Sequence, residues 1–253
     1  VRASIAVTDG SADWLATASD MMIEAASSAV AERGSFIIAL AGGTTPEALY
    51  AHLASASLAG SIEWTKAIFL FGDERCVGPS EPTSNYAMAR RSLLDPLGIL
   101  PSQVHRLRGE GDPRVEADRY GGVLAELLGG RCDDPSGPER PIDLVLLGLG
   151  ANAHTASLFP GLAWSARTER WVVADYVEVV GSWRLSMGQA VLGSARRIGF
   201  LVAGSSKAEA VTEVLEGPCD PVVRPAQLFS DLDATRWILD AEAAAGLKAG
   251  RTA

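Results

Sequence analysis

Apolar positions recur along this chain in two rhythms. Residues 12–32, ADWLATASDMMIEAASSAVAE, space them as on one face of a helix, with Gly34 beyond as the stop. SFIIALAGG (35–43) is a continuous apolar run closed by two glycines, the pattern of a strand buried on both faces. TTPEALYAHLAS (44–55) turns helical, with Thr45 as the expected N-cap and Pro46 at the first helical position. The alternation continues with a strand in KAIFLFGDER (66–75), a helix in SNYAMARRSLLDPL (84–97) and another in DPRVEADRYGGVLAELL (112–128), weakened by its glycine pair. A strand in PIDLVLLGLG (141–150) follows, then SWRLSM (182–187), RRIGFLVAG (196–204), the helical SSKAEAVTEVLEG (205–217) and TRWILDAEAAAGL (235–247).

Strands alternating with helices predict an α/β fold: a single open, mostly parallel sheet with helices on both faces. The Pro-, Gly- and Asp-rich stretch Arg131–Pro141 falls inside this alternation, so it reads as a surface loop and not a linker. Residues 1–253 are therefore expected to form one domain.

Composition narrows the function. The chain is 47% hydrophobic and 21% charged, ordinary for a soluble globular protein. A net charge of -9 argues against a nucleic-acid partner, though a local phosphate site needs only a few basic groups. Cys76, Cys132 and Cys219 are scattered; they form neither a disulfide framework nor a zinc spacing, which fits a reducing cytoplasm. No stretch approaches the roughly 20 apolar residues of a membrane span, and VRASIAVTDG at the start carries no cleavage pattern. The expectation is a soluble cytoplasmic protein with no membrane or nucleic-acid partner, a monomer or small homo-oligomer.

In open α/β sheets ligands bind beyond the carboxyl ends of the strands. Four such ends carry polar loops: AGGTTPE, GDERCVGPSEPTSN, GLGANAHTASLFPG and LVAGSSKAEA. In the first, Gly42 and Gly43 would let backbone N–H groups approach an anion, Thr44 and Thr45 add hydroxyls, and the helix dipole points the same way. An N-capped helix after a tight turn would read alike. The loop is no Walker motif, and LGLGANA lacks the last glycine of a dinucleotide fingerprint, so no nucleotide cofactor is expected. Asp73, Glu74 and Arg75 follow a buried strand directly, where a loop ion pair is the plain alternative. Lys207 and Arg184 are the basic residues best placed to meet a phosphate. His52 and His105 read as structural or surface residues. His154, after LVLLGLG, is either a buried histidine satisfied by the backbone or a group that activates water; the chain has no G-x-S-x-G elbow for it to serve.

AGGTTPEALY, FLFGDERCV, TSNYAMARRSLLDP, QVHRL, DLVLLGLG, HTASLFPG, FLVAGSSKAEAVTEVLEGP and TRWILDAEAAA, in this order, resemble the 6-phosphogluconolactonases, within the group that includes the glucosamine-6-phosphate deaminases. The resemblance spans nearly the whole chain, and GDER with HTASLFPG favours the lactonases. It implies a Rossmann-like α/β domain and hydrolysis of 6-phosphogluconolactone to 6-phosphogluconate in the pentose phosphate pathway, with neither metal nor cofactor. It implies a catalytic His154, with Asp73 and Arg75 in the GDER loop that lines the sugar. Gly42, Gly43, Thr44, Thr45, Arg184 and Lys207 match positions that hold the phosphate, and Ser84 and Asn85 match the family's SN pair. The chain departs from the family pattern where it reads Asn152–Ala153–His154, the family having an acid and a glycine before the histidine. It also has Glu81 where a histidine is usual, and GSWRLSMGQAV in place of a proline-rich turn. Asn152 is counted among the substrate-binding residues and is expected to hold the His154 ring without supplying charge, and Ala153 to be strained if the position needs a positive φ. The alternatives are a weakened homologue that binds phosphosugars, and, further off, an aminosugar-phosphate deaminase.

Overall fold

The computed structural model describes residues 3–248. In chain order the strands are β1 (Ser4–Thr8), β2 (Phe36–Leu40), β3 (Ala67–Phe71), β4 (Asp73–Arg75), β5 (Leu144–Leu147), β6 (Val172–Val177), β7 (Ser182–Met187), β8 (Ile198–Val202) and β9 (Thr235–Asp240). The α-helices are α1 (Ser11–Arg33), α2 (Thr44–Leu53), α3 (Asn85–Ala89), α4 (Pro113–Leu128), α5 (Gln189–Gly193) and α6 (Ala208–Glu216).

Six strands form the expected parallel sheet, in the order β1-β9-β8-β5-β2-β3. Every residue of β2, β5 and β8 is buried, which requires cover on both faces and explains why these segments read as unbroken apolar runs. Along α1 the buried Trp14, Ala18, Met21, Met22, Ala25, Ala26 and Ala29 form a stripe of mostly small residues that packs on β1, β2 and β9. The helix stops at Gly34, whose φ of 74° is left-handed and whose N–H returns to the Val30 carbonyl.

The main difference from expectation is a second sheet: β4, β7 and β6 form a three-stranded antiparallel ribbon, with α4 packed on β6 and β7. Its pairing joins Arg75 to Arg184, residues too distant in sequence for local periodicity to reveal. Smaller corrections concern helix starts. Thr45 is not the N-cap of α2; Gly43 is, at a φ of 105° open to glycine, and Pro46 lies in the third helical position. The helix after Ser84 gives way to a π-turn over Arg90–Leu94, where the Ser92 hydroxyl donates to the Met88 carbonyl (2.9 Å) and Pro96 follows without an N–H. The glycine pair does not interrupt α4: Gly121 is buried against the Cys132 side chain, where a Cβ would lie 3.2 Å from Cys132 Cβ. Among the described residues no helix is long and apolar enough to cross a membrane.

The strands β8, β5, β2 and β3 are consecutive in the parallel sheet. Their carboxyl ends, and the four polar loops leaving them, therefore open side by side.

Candidate active site

The four loops surround a cavity of about 350 Å³ lined by Gly42 and Gly43 after β2, Asp73 and Arg75 after β3, Gly150, His154 and Ser157 after β5, and Lys207 after β8, with Arg184 from β7. Tertiary hydrogen bonds hold the loop roots. The Tyr50 hydroxyl accepts from Ala41 N–H and donates to Ala41 C=O, both 3.0 Å, pinning the end of β2. The Tyr120 hydroxyl accepts from Phe71 N–H (3.0 Å) and donates to the His105 carbonyl (3.0 Å), pinning the end of β3. Buried hydroxyls bonded in this way act as clamps, because breaking either bond leaves a polar group without water.

The β4–β7 register places Arg75 opposite Arg184 and Asp73 opposite Ser186, so these side chains share one face of the small sheet. Arg75 is steadied by donating to the Thr83 carbonyl (2.6 Å), and Arg184 by donating to Ser182 Oγ (2.9 Å). Gly109 lets a neighbouring segment lie on the Arg75 backbone, where a Cβ would come within 2.3 Å of the Arg75 carbonyl oxygen. Among the described residues, neither arginine nor Lys207 forms an ion pair. Three half-buried cations thus face one cavity in a chain of net charge -9. Burial and the adjacent Arg75 guanidinium lower the pKa of Arg184, the signature of cations without a counter-ion.

Asp73 is buried, and both its oxygens are occupied by neutral donors: Asn85 Nδ2 to Oδ1 (2.9 Å) and Ser157 Oγ to Oδ2 (2.6 Å). It ties the β3 loop to α3 on one side and to the His154 loop on the other. Its neighbour Glu74 turns inward, accepting from the backbone N–H groups of Arg75, Asn85 and Tyr86 and from Ser84 Oγ at 2.7–3.0 Å. Burial raises the Glu74 pKa against the lowering effect of those donors. Ser84 caps α3 by accepting from Ala87 N–H (3.1 Å).

Five of the residues expected to touch ligand, Thr44, Thr45, Ser84, Asn85 and Asn152, therefore do not line the cavity; Asn152 holds the His154 ring instead. Ser84 and Asn85 are buried behind it and position Glu74 and Asp73. Thr44 and Thr45 line a separate depression with Trp14, Leu15 and Asp240, because α2 begins earlier than expected and turns their side chains away. What remains of the GGTTP loop at the cavity is Gly42, Gly43 and the orphan amides of a helix start. Gly42 has a second reason to be glycine: a Cβ there would lie 1.8 Å from Asn85 Oδ1. Gly42→Ala is accordingly expected to destabilise the fold by about 1–3 kcal/mol, as overpacking does, measurable by urea denaturation; an unchanged midpoint would mean Asn85 has another place to go.

His154 is half-buried and stacked on Phe159, with ring centroids 4.0 Å apart and planes at 16°. Its Nδ1 lies 2.5 Å from Asn152 Oδ1, which also accepts, at 3.5 Å, from the His154 backbone N–H. An amide oxygen accepts only, so the ring proton is on Nδ1 and Nε2 is left with a free lone pair. Burial, then Lys207, Arg184 and Arg75, push the His154 pKa down to about 4, so the imidazole is neutral near pH 7. The loop that presents it is strained: Ala153 (φ 61°) and Ala156 (φ 46°) are both left-handed, and Ala153 is held there by Ala226 N–H donating to its carbonyl (3.0 Å). Asn152 thus holds the ring as expected, and Ala153 carries the expected strain. His52 and His105 stay outside the cavity; His105 lies in a separate one with Arg106 and Arg119.

Sequence reasoning passed over Ser157, Phe159 and Gly150. All three lie in the loop GLGANAHTASLFPG, but their roles depend on contacts across loops.

A parallel α/β sheet with a histidine and unpaired cations at adjacent strand ends defines a protein that handles a small anionic substrate. The chain belongs to the family described as glucosamine-6-phosphate isomerases/6-phosphogluconolactonase, which it matches over residues 10–237. It is 34% identical to the 6-phosphogluconolactonase of Mycobacterium tuberculosis over 253 residues, covering 98% of this chain and 99% of that one. It is also 34% identical to the 6-phosphogluconolactonase of Aggregatibacter actinomycetemcomitans over 208 residues, 82% and 85% of the two chains. The solved 6-phosphogluconolactonase of Trypanosoma brucei superposes with a TM-score of 0.85 at 29% identity, covering 97% of this chain and 99% of that one.

Proposed function

We propose that this protein is a 6-phosphogluconolactonase, hydrolysing 6-phospho-D-glucono-1,5-lactone to 6-phosphogluconate in the pentose phosphate pathway. The observation that carries this reading is the shared cavity, in which a neutral histidine with a free Nε2 meets three cations lacking counter-ions. Names of relatives along the whole chain agree with it. The cysteines Cys76, Cys132 and Cys219 are all unpaired, in keeping with a reducing cytoplasm.

Lys207 and Arg184 hold the phosphate, aided by the amide groups at Gly42 and Gly43. Nε2 of His154 takes a proton from water as the water oxygen bonds to the lactone carbonyl carbon. The negative charge that develops on the carbonyl oxygen is met by Arg75. When the bond from that carbon to the ring oxygen breaks, the Nε2 proton passes to the departing oxygen, giving the open-chain acid and the neutral histidine again. Asp73, with both oxygens engaged, acts as a positioning residue that keeps the Arg75 strand and the His154 loop in register.

A second reading, a phosphosugar-binding homologue with little turnover, rests on Asn152, which supplies no charge to the histidine. Hydrolysis of freshly generated lactone above its spontaneous rate separates the two. Binding is tested apart from turnover. Lys207→Ala is expected to weaken 6-phosphogluconate by about 1.5–3 kcal/mol, the worth of a hydrogen bond to a charged group. Equal calorimetric affinity of the wild type for 6-phosphogluconate and gluconate would overturn the phosphate site.

A further inference from the structure

The groups facing His154 are unevenly charged. Lys207 after β8, Arg184 on β7 and Arg75 on β4 line its cavity, and the start of α2 adds the positive end of a helix at Gly43. From its own loop His154 meets the neutral Asn152, and Phe159 covers one ring face. Among the described residues that line the cavity Asp73 is the only carboxylate, and neutral donors take both its oxygens. Glu74, next to it, points away into the start of α3. A protonated His154 would therefore find three cations and no partner anion.

Resting on the reading of Lys207 and Arg184 as phosphate ligands, we propose that the phosphate of the bound substrate also activates the base. By offsetting the cations that line the cavity, it raises the proton affinity of His154, so a phosphorylated lactone completes its own catalyst. In the free protein the imidazole is neutral but a poor proton acceptor, in line with its lowered pKa. A cavity of about 350 Å³, taken as a sphere, is about 9 Å across, so a phosphate seated among the cations stays within a short Coulombic distance of the ring. One unit charge at about 8 Å, with an effective dielectric constant of about 20, moves a neighbouring pKa by about 1.5. A dianion can thus return the histidine toward its ordinary range near 6.5, where it is a stronger base and still mostly neutral at pH 7.5. In a chain that lacks a carboxylate at position 152, the substrate supplies the negative charge. The phosphate is then read twice, once in binding and once in the chemical step, and an unphosphorylated lactone loses kcat as well as affinity.

The test is an NMR pH titration of the three histidines in the whole protein, free and saturated with 6-phosphogluconate or with sorbitol 6-phosphate. Sorbitol 6-phosphate carries the phosphate without a carboxylate that could act on the ring itself. The His154 midpoint is expected to rise by at least about 1, a tenfold tighter hold on the proton, while His52 and His105, outside the cavity, stay put. Lys207→Met should raise the midpoint in the free protein, with no ligand needed. Bound 6-phosphogluconate with an unmoved midpoint, or an unmoved midpoint in free Lys207→Met, overturns the inference and leaves the phosphate site standing. A shift with 6-phosphogluconate but none with bound sorbitol 6-phosphate assigns the effect to the carboxylate and also overturns it. Failure of both ligands to bind overturns instead the reading on which it rests.

Discussion

Replacing His154 by alanine is expected to lower turnover by about 10²–10⁴-fold, the loss that follows removal of a general base. Affinity for 6-phosphogluconate should change little, because the proposed phosphate ligands, Arg184 and Lys207, come from β7 and from the loop after β8. Steady-state rates corrected for spontaneous hydrolysis, with calorimetry of the product, give both quantities. The same variant tests the electrostatics without any substrate. A histidine whose folded pKa lies near 4 and whose unfolded value is near 6.5 binds its proton more weakly in the native state. Between those values the unfolded chain holds more protons, so native stability rises with pH there and is lost as pH falls from 6.5 toward 4. His154→Ala removes this contribution, so its urea midpoint should fall less steeply over that window. A folded variant with wild-type turnover would make His154 structural, held between Gly150 and Phe159 for packing alone.

The strands that build the site were legible because parallel strands buried on both faces leave a plain mark: FIIAL, AIFLF, LVLL and IGFLV are apolar throughout and end in polar, glycine-bearing loops. Arg75, His154 and Lys207 stood out because each is a chemically capable side chain near such an end, and Arg184 as a basic residue in SWRLSM; the structure brings all four to one cavity. What stayed hidden depends on direction and on distant partners. Thr44 and Thr45 have the chemistry of phosphate ligands, but Gly43 starts the helix and its first turn aims them elsewhere. Ser84 and Asn85 read as a helix start and as the family's SN pair at the site; they are buried behind the cavity because Glu74 and Asp73 turn inward to meet them. The small sheet joins β4 to strands about a hundred residues away, and no local periodicity announces such pairing. Ser157 could be found only by seeing its hydroxyl against Asp73.

Gly150 is the clearest case of a residue whose role lies wholly in what it lacks, and its substitution should come close to deleting the histidine. An alanine Cβ at this position would stand 2.0 Å from both Cε1 and Nδ1 of His154, far inside van der Waals contact. The backbone of Gly150 is not left-handed, so alanine is tolerated there conformationally and the conflict is with the ring alone. The ring has no easy retreat. Phe159 stacks on it at 4.0 Å, and Nδ1 is anchored to Asn152. Gly150→Ala must therefore expel the imidazole or tilt it off its bond to Asn152. Displacing a catalytic group by about 1 Å can lower the rate about 10²-fold, and that is the expected fall in kcat, with 6-phosphogluconate binding retained. Overpacking should also destabilise the protein by about 1–3 kcal/mol. Combination with His154→Ala tells displacement from general damage: once the ring is gone, the added methyl has room. In that background Gly150→Ala should cost almost no stability and no further activity, a coupling that a double-mutant cycle measures directly. If the two substitutions instead lower stability and rate additively, the methyl acts somewhere other than the ring, and Gly150 does not hold His154 in place.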